Sequence, residues 1–265
     1  MAIVKTDDVH YKNIGAKIRE KLGVETQYKP SEMPNGLDEV YEAGKLSGQD
    51  AFWNIILWNG ERTDFSYAFA GWNSEYIRPP QKVVPTDVKT RRQTFNGIRS
   101  TKRLEKEYFD FSQSPKGRNT QESYYYTFAD SPDLEVIEDI GINNAYSLSS
   151  VFRNCKKLHT IECIYPDADT IYQDAFANCN SLVYLRVNGT IGQDGFDVRW
   201  CPLDKESIES IMNALSTTTT GLTVTFSKNA VNSAFETVTG AKDGSTSAEW
   251  LALVATRSNW TISLA

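Results

Sequence analysis

The most informative ten residues of the chain are Phe152-Arg153-Asn154-Cys155-Lys156-Lys157-Leu158-His159-Thr160-Ile161. Their pattern, F-x-x-[CS]-x-x-L-x-x-[IL], also begins at Phe128 and at Phe176, so it recurs with a period of 24 residues. Self-similarity at a fixed period of this length is typical of proteins built from stacked structural repeats. We therefore expect three successive turns of one stack, in which the Phe, Cys or Ser, and Leu side chains form ladders in the core.

Each repeat unit is expected to bury its Phe in a turn and then to begin a short strand at its Leu. In the third unit, Val183–Val187 alternates apolar and polar positions, which is the period-two pattern of a half-buried strand. The pattern predicts Leu185 and Val187 inside the core, with Tyr184 and Arg186 outside. The equivalent residues of the two earlier units are predicted inside at Ile161, Cys163 and Ile137, and outside at Thr160, Glu162, Val136 and Glu138. Because one unit cannot bury its apolar face alone, the units must stack as a solenoid.

Two weaker copies of the unit lie upstream, with their Phe at positions 69 and 95. In these copies Trp72 and Ile98 replace the Cys, and the second copy is expected to reach Leu104 only after extra residues. The separation between successive Phe residues from position 69 to position 128 is 26 and then 33 residues. The spacing therefore predicts insertions in the early units.

The F-x-x-C-x-x-L-x-x-I unit resembles the BspA-type leucine-rich repeat, which is common in bacterial surface proteins and in tail or baseplate proteins of bacteriophages. The resemblance covers roughly residues 65 to 200. It implies an α/β fold, a leucine-rich-repeat-like solenoid with short parallel strands, and we assign residues 49–200 to this domain. Repeat solenoids commonly recognise a partner along their regular exposed surface.

Residues 1–48 carry a second resemblance. Tyr11–Gly23 followed by Tyr28–Pro34 is similar to a short module, of the form I-x-x-A-I-R-x-K-x-G and then P-S-E-M, that opens many phage tail and virion-associated proteins. Two short amphipathic helices are predicted here, and helices this short need tertiary or quaternary burial. We expect the module to attach to other virion proteins or to pair with copies of itself; alternatively, it folds back on the repeat domain. The candidate assembly residues are Ile14, Ile18, Leu22, Leu37, Val40 and Tyr41.

Residues 201–265 are predicted to form a C-terminal cap over the last Phe and Leu layer. Asp204 is expected to cap the N-terminus of a helix whose apolar positions lie between Ile208 and Leu215. An alternating strand is predicted at Leu222–Phe226, a last helix around Ala248–Thr256, and a closing strand at Trp260–Leu264. This helix, strand, helix, strand order resembles the cap that follows such repeats in phage proteins.

The charge balance and the apolar segments exclude two classes of partner. Lys and Arg total 28 against 34 Asp and Glu, and the net charge of −6 argues against a nucleic-acid-binding surface. The longest strongly apolar stretch, Phe52–Trp58, is much shorter than the roughly 18–20 residues that span a bilayer, so no membrane insertion is expected. The N-terminus also lacks the pattern of a secretory signal. The sequence therefore favours synthesis and retention in a cytosol, with export by another route as the alternative. The resemblance implies a location in the virion after synthesis in the host cytoplasm, or alternatively on the bacterial cell surface.

The groups that catalysis and metal binding need are scarce. The four cysteines, which lack paired C-x-x-C spacing, are predicted to be reduced and mostly buried. The pattern Cys155-x3-His159-x3-Cys163 offers only three ligands, so no metal site is predicted. With two histidines and no Gly-rich phosphate loop, the chain is predicted to have no catalytic residues, no cofactor and no enzymatic activity.

The outward positions of the predicted strands form the candidate ligand-binding surface. Its residues are Val136, Thr160 and Tyr184, beside Glu138, Glu162 and Arg186. The alternative is that these are ordinary solvent-facing side chains. Tyr124–Tyr126 is a second candidate, because exposed Tyr gives a large contact area at low entropic cost. These tyrosines could equally be half in the core.

Three functions are compatible with these patterns. The preferred hypothesis is a non-enzymatic bacteriophage virion protein of the tail, baseplate or capsid surface, which attaches through its N-terminus and binds a host surface protein or glycan through its repeats. A purely structural role without receptor binding is a close variant. The alternatives are a bacterial surface adhesin or interaction protein of the same repeat type, and a polysaccharide-degrading enzyme.

Overall fold

The computed structural model describes residues 66, 68–73, 75, 77–78, 82–84, 90–117, 119, 123–239 and 243–265. The predicted N-terminal helices lie outside these residues, and so do the six candidate assembly residues between Ile14 and Tyr41. The described part is a mixed α/β structure with short parallel strands in two sheets. None of its helices is long and apolar enough to cross a membrane.

The first sheet has five short strands. They are β1 (Arg103–Leu104), β2 (Val136–Ile137), β3 (Ile142–Asn143), β4 (Thr160–Tyr165) and β5 (Tyr184–Val187). The strand order is β1-β2-β4-β3, and β5 also pairs with β4. All of these pairs are parallel. Strands β1, β2, β4 and β5 come from four successive repeat units, and β3 is a second strand of the unit that begins at Phe128. The strands begin two residues after the Leu positions 134, 158 and 182, slightly later than predicted.

The strand register confirms the inward positions and corrects one expectation. Leu104, Ile137, Ile161 and Leu185 lie side by side across β1, β2, β4 and β5, and all four are fully buried. Each of them follows its own Phe by nine residues, including Leu104 after Phe95. The expectation of extra residues before Leu104 was therefore wrong. The insertion in this unit follows its strand instead, between positions 104 and 128.

The phenylalanine rings form the predicted ladder and extend it to the two weaker units. Consecutive ring centroids from Phe69 through Phe95, Phe128 and Phe152 to Phe176 are 5.0, 5.5, 5.6 and 5.5 Å apart. The first three pairs are nearly parallel, with interplanar angles of 3°, 7° and 7°. Phe152 is fully buried between its two neighbours. The five Phe side chains therefore share one continuous stack.

Backbone hydrogen bonds join the turns that carry these rings. The amides of Phe95, Phe128 and Phe152 each donate to the carbonyl just before the next Phe, at 2.8, 2.9 and 3.0 Å. The residue two positions after each Phe has a positive φ, and its amide also donates to the next unit in the first four units. These residues are Gly71, Gly97, Asp130, Asn154 and Asn178. Gly, Asp and Asn are the residue types that best tolerate this left-handed conformation.

The Cys or Ser of the motif has a second role besides its small size. The Cys155 thiol donates to the carbonyl of Phe128 at 3.0 Å, and the Cys179 thiol donates to the carbonyl of Phe152 at 3.0 Å. The Ser131 hydroxyl makes the same bond to the carbonyl of Phe95 at 3.1 Å. This position therefore selects a small side chain that can donate a hydrogen bond to the preceding turn.

The C-terminal region forms a second, three-stranded parallel sheet in the order β6-β7-β8. Its elements are β6 (Phe196–Val198), α1 (Lys205–Ala214), β7 (Leu222–Phe226), α2 (Lys228–Thr239), α3 (Ala248–Ala255) and β8 (Trp260–Leu264). The predictions of α1 with its Asp204 cap, of β7, of α3 and of β8 are confirmed. The sequence patterns missed β6 and α2. The Phe196 ring of β6 lies 5.4 Å from that of Phe176 and continues the aromatic core toward this sheet.

Helix α1 covers the open edge of β5. Its Ser207 hydroxyl accepts a hydrogen bond from the amide of Leu185 at 2.9 Å and donates to the carbonyl of Val183 at 3.2 Å. The Ser210 hydroxyl likewise accepts from the amide of Val187 at 2.9 Å. An uncovered strand edge exposes backbone groups to unwanted pairing. The two serine hydroxyls thus satisfy backbone groups on this edge of β5.

Candidate binding surface

The sheet brings the first row of candidate residues together. Val136, Thr160 and Tyr184 are direct partners on β2, β4 and β5. Thr160 and Tyr184 are partly exposed, but Val136 is only 7% exposed, so the prediction that it points to solvent was wrong. The reason is its neighbour Arg103, which pairs with Val136 on β1 and reaches Glu138 two residues further on. We attribute the low exposure of Val136 to this ion pair, which joins its partner on β1 to the residue two positions after it.

The charged candidates next to this row already have partners within the protein. Glu138 accepts from the guanidinium of Arg103 at 2.8 Å and from the amide of Lys106 at 2.9 Å. Partial burial acts to raise the pKa of Glu138, but these hydrogen bonds and the nearby positive charges lower it overall. Glu162 accepts from the amide of Asp139 at 3.0 Å. These two carboxylates therefore help to order the loops around the sheet.

The accessible part of this surface lies at β5. The Arg186 side chain is 51% exposed, forms an ion pair with Glu206 of α1, and lies 5.9 Å from the centre of the Tyr184 ring. A guanidinium above an aromatic ring gives a partner both an apolar face and a hydrogen-bond donor. We use the name strand face for the side chains Thr160, Glu162, Tyr184 and Arg186.

The three consecutive tyrosines were predicted either to be exposed for binding or to be half in the core, and the structure places one in the core and two at the surface. Tyr124 is fully buried, with the guanidinium of Arg91 4.3 Å from its ring centre, and burial raises the pKa of its hydroxyl. Tyr125 and Tyr126 are partly exposed, and their ring centres are 4.6 Å apart. The guanidinium of Arg153 lies 6.0 Å from the Tyr126 ring and donates to its hydroxyl at 3.0 Å. Tyr124 thus belongs to the core, and its two neighbours belong to the surface.

A polar recess that sequence reasoning missed lies beside the stack. The amide of Asn178 donates to the side-chain oxygen of Asn154 at 2.8 Å, and the amide of Asn154 donates to Asp130 at 2.6 Å. We call this row the amide ladder. Together with Pro132, Lys156 and Asn180 it lines a recess of about 500 Å³. The available signal was the recurrence of Asp or Asn two residues after the motif Phe.

The four cysteines lie in the buried interior, as expected for cysteines that serve as small core side chains. All four are free and buried, which confirms the prediction of reduced, buried thiols. Cys155 and Cys163 are buried, whereas His159 is exposed and its Nδ1 lies 2.9 Å from the Thr160 hydroxyl. In the part of the chain that the structure describes, no group of three or more His, Cys, Asp or Glu side chains is placed to hold a metal ion.

The thiols are expected to resist alkylation in the folded protein even in mildly alkaline solution. Burial raises the pKa of Cys155 to about 12 and also raises those of Cys163, Cys179 and Cys201. An exposed thiol has a pKa of about 8.5 and is substantially ionised at pH 9. At pH 9 we expect slow incorporation of iodoacetamide, followed by rapid labelling of all four thiols once urea unfolds the chain. Rapid labelling of Cys155 or Cys179 in the native protein contradicts their placement under the Phe stack.

The observed geometry offers two surfaces suited to non-covalent binding: the strand face and the polar recess. Both are built on a regular stack that holds their side chains at fixed separations. Comparisons with known protein families, with curated proteins and with solved structures found no match.

Proposed function

We propose that the chain is a leucine-rich-repeat-like solenoid that serves as a non-enzymatic structural protein of a bacteriophage virion, in the tail, baseplate or capsid surface. The observation that carries the proposal is the stack of five Phe rings, whose turns are joined by regular backbone hydrogen bonds. Such a scaffold presents side chains in fixed rows without a large conformational change. It suits a particle component that must hold a binding surface outward.

In this proposal the two ends of the chain have different tasks. Residues 1–48 attach to other virion proteins, and this part of the proposal rests on the sequence resemblance and the amphipathic pattern. The repeat domain faces outward and binds a host surface protein or glycan. The closure of the last strand edge by α1 supports a role for residues 201–265 as a terminating cap, because it leaves that edge no site for a further repeat.

Immunogold electron microscopy tests the location. An antibody raised against the purified chain is applied to phage particles from a lysate of the bacterium that carries the gene, and to the intact uninfected cells. We expect gold particles at one defined site on the virion. Labelling of the bacterial envelope with unlabelled particles contradicts the proposal and favours the surface adhesin, and absence of labelling from both also contradicts it.

A double substitution on the strand face tests its part in host attachment. Tyr184→Ala removes the ring beneath Arg186, and Glu162→Gln removes a charge while it keeps an oxygen that can accept from the amide of Asp139. We expect particles that carry both changes to adsorb to host cells at least about fivefold less, which corresponds to roughly 1 kcal/mol of lost contact. The melting temperature of the isolated protein should change little. Adsorption at the parental rate contradicts a binding role for this face.

A further inference from the structure

We propose that the polar recess is a binding site for a neutral polysaccharide strand, with Tyr125 and Tyr126 as its aromatic rim. The recess, about 500 Å³ in volume, is an open groove: five of its six lining residues are exposed, and Asn154 is partly exposed. This site is separate from the strand face. It requires only the folded repeat domain, so the proposal goes beyond a role in a virion and can fail independently of it.

The amide ladder has hydrogen-bonding capacity left for a ligand. Each Asn side chain has two N–H donors and an oxygen with two lone pairs. Asn154 uses one N–H on Asp130 and one lone pair on Asn178, so the other N–H and the other lone pair lie outside the ladder bonds. Asn178 takes part in the ladder only as a donor, so its side-chain oxygen makes no bond within the ladder. A row of alternating donors and acceptors matches hydroxyl and acetamido groups, which also donate and accept.

The ladder repeats with the stack and therefore suits an extended, repeating ligand. Asp130, Asn154 and Asn178 occupy the same position in three successive units. Pro132, Lys156 and Asn180 form a second parallel row two residues further along each unit. Neighbouring parallel segments lie about 5 Å apart. Each row therefore offers one side chain from every repeat unit, at intervals of about 5 Å. A linear polysaccharide presents similar groups at regular intervals along its length.

The tyrosine pair is linked to one residue of the recess, Asp130, through hydrogen bonds of Arg153. The Arg153 guanidinium donates to the Tyr126 hydroxyl at 3.0 Å, while its backbone carbonyl accepts from the amide of Asp130 at 2.8 Å. One residue thus connects the tyrosine pair to the first step of the ladder. A sugar ring has an apolar face of C–H groups, which an aromatic ring can cover, and a rim of hydroxyls for the amides.

The charges of the recess favour a neutral ligand. Its lining contains one carboxylate, Asp130, and one ammonium group, Lys156, which balance each other. The remaining lining side chains are two amide groups from the ladder, a third amide from Asn180, and the ring of Pro132. The carboxylates of an acidic polysaccharide would be repelled by Asp130 and attracted by Lys156, so the recess gives them no net attraction to offset their desolvation.

Isothermal titration calorimetry on the purified full chain tests the assignment with four probes. These are the neutral hexasaccharides cellohexaose, maltohexaose and chitohexaose, and the acidic hexamer of galacturonic acid. We expect at least one neutral hexasaccharide to bind with a Kd of about 1 mM or tighter, and weaker binding of the acidic one. Absence of binding to all three neutral probes overturns the proposal. Tighter binding of the acidic hexamer overturns the assignment to a neutral ligand.

Two matched double variants locate the site. Lys156→Ala with Asn180→Ala removes two exposed side chains from the recess and leaves the ladder bonds intact, so we expect the Kd to rise at least about fivefold with an unchanged melting temperature. The control, Lys228→Ala with Asn229→Ala, deletes the same two residue types at exposed positions outside the recess and should bind as the parent does. Parental affinity in the recess variant, or an equal loss in the control, contradicts the proposed site.

Discussion

Replacement of Phe152 by alanine is expected to lower the free energy of unfolding by about 3–5 kcal/mol. The ring is fully buried, with Phe128 5.6 Å away on one side and Phe176 5.5 Å away on the other. The substitution removes the burial of one large side chain, leaves a cavity in the middle of the stack, and breaks two ring contacts at once. A loss of this size is a large part of the total stability of an ordinary domain.

Urea denaturation followed by circular dichroism measures this loss, and an exposed aromatic residue provides the control. Trp200 is 52% exposed, so Trp200→Ala should change the free energy of unfolding by no more than about 0.5 kcal/mol. Phe152→Leu keeps most of the apolar volume and should fall between the two. If Phe152→Ala and Trp200→Ala have equal effects, the ring at position 152 does not lie in a continuous aromatic core.

Replacement of Gly141 by alanine is expected to destabilise the protein by about 3 kcal/mol, the second large effect. Gly141 has a φ of +71°, and a Cβ at this position would lie 2.6 Å from the amide nitrogen of Ser112. Two costs therefore add: the strain of a left-handed residue with a side chain, and the displacement of a neighbouring backbone segment. This close approach joins the start of β3 to the insertion that follows β1.

Gly97→Ala separates these two costs. Gly97 has a similar φ of +67°, but no atom lies within 4 Å of the position that its Cβ would occupy. Only the conformational cost applies, so we expect about 1–2 kcal/mol of destabilisation from this change. Thermal unfolding of both variants gives the comparison. Equal melting temperatures for Gly97→Ala and Gly141→Ala would rule out the contact between Gly141 and Ser112.

The periodic features of the fold could be predicted from the sequence because they recur. The ladder of Phe rings and the inward row that contains Ile161 and Leu185 follow from matching positions in copies of the motif. Asp204 could be predicted because a helix N-cap has a local signature, and its side chain does accept from the amide of Ser207. Leu104 follows Phe95 by nine residues and so occupies the last position of the motif. This match was hard to recognise because Ile98 stands at the Cys or Ser position and Thr101 at the Leu position.

The other features depend on contacts that no local pattern records. Val136 is buried because Arg103, far from it in sequence, extends past it to Glu138. Helix α2 contains Asn, Ser, Val and Thr, which are weak helix formers, so tertiary packing rather than propensity forms it. The amide ladder forms only when three turns are stacked. Its residues look like ordinary turn residues in the sequence.

Disulfide mapping of two engineered cysteine pairs tests most directly whether equivalent positions of successive units are neighbours. Thr160 and Tyr184 are direct partners on adjacent strands, about 5 Å apart, whereas Val136 and Tyr184 are separated by two strand steps, about 10 Å. A disulfide needs Cα atoms within about 7 Å of each other. We predict that Thr160→Cys with Tyr184→Cys forms a disulfide under mild oxidation, and that Val136→Cys with Tyr184→Cys does not. Failure of the first pair, or equal formation of the second, would contradict the stacked arrangement of the repeats.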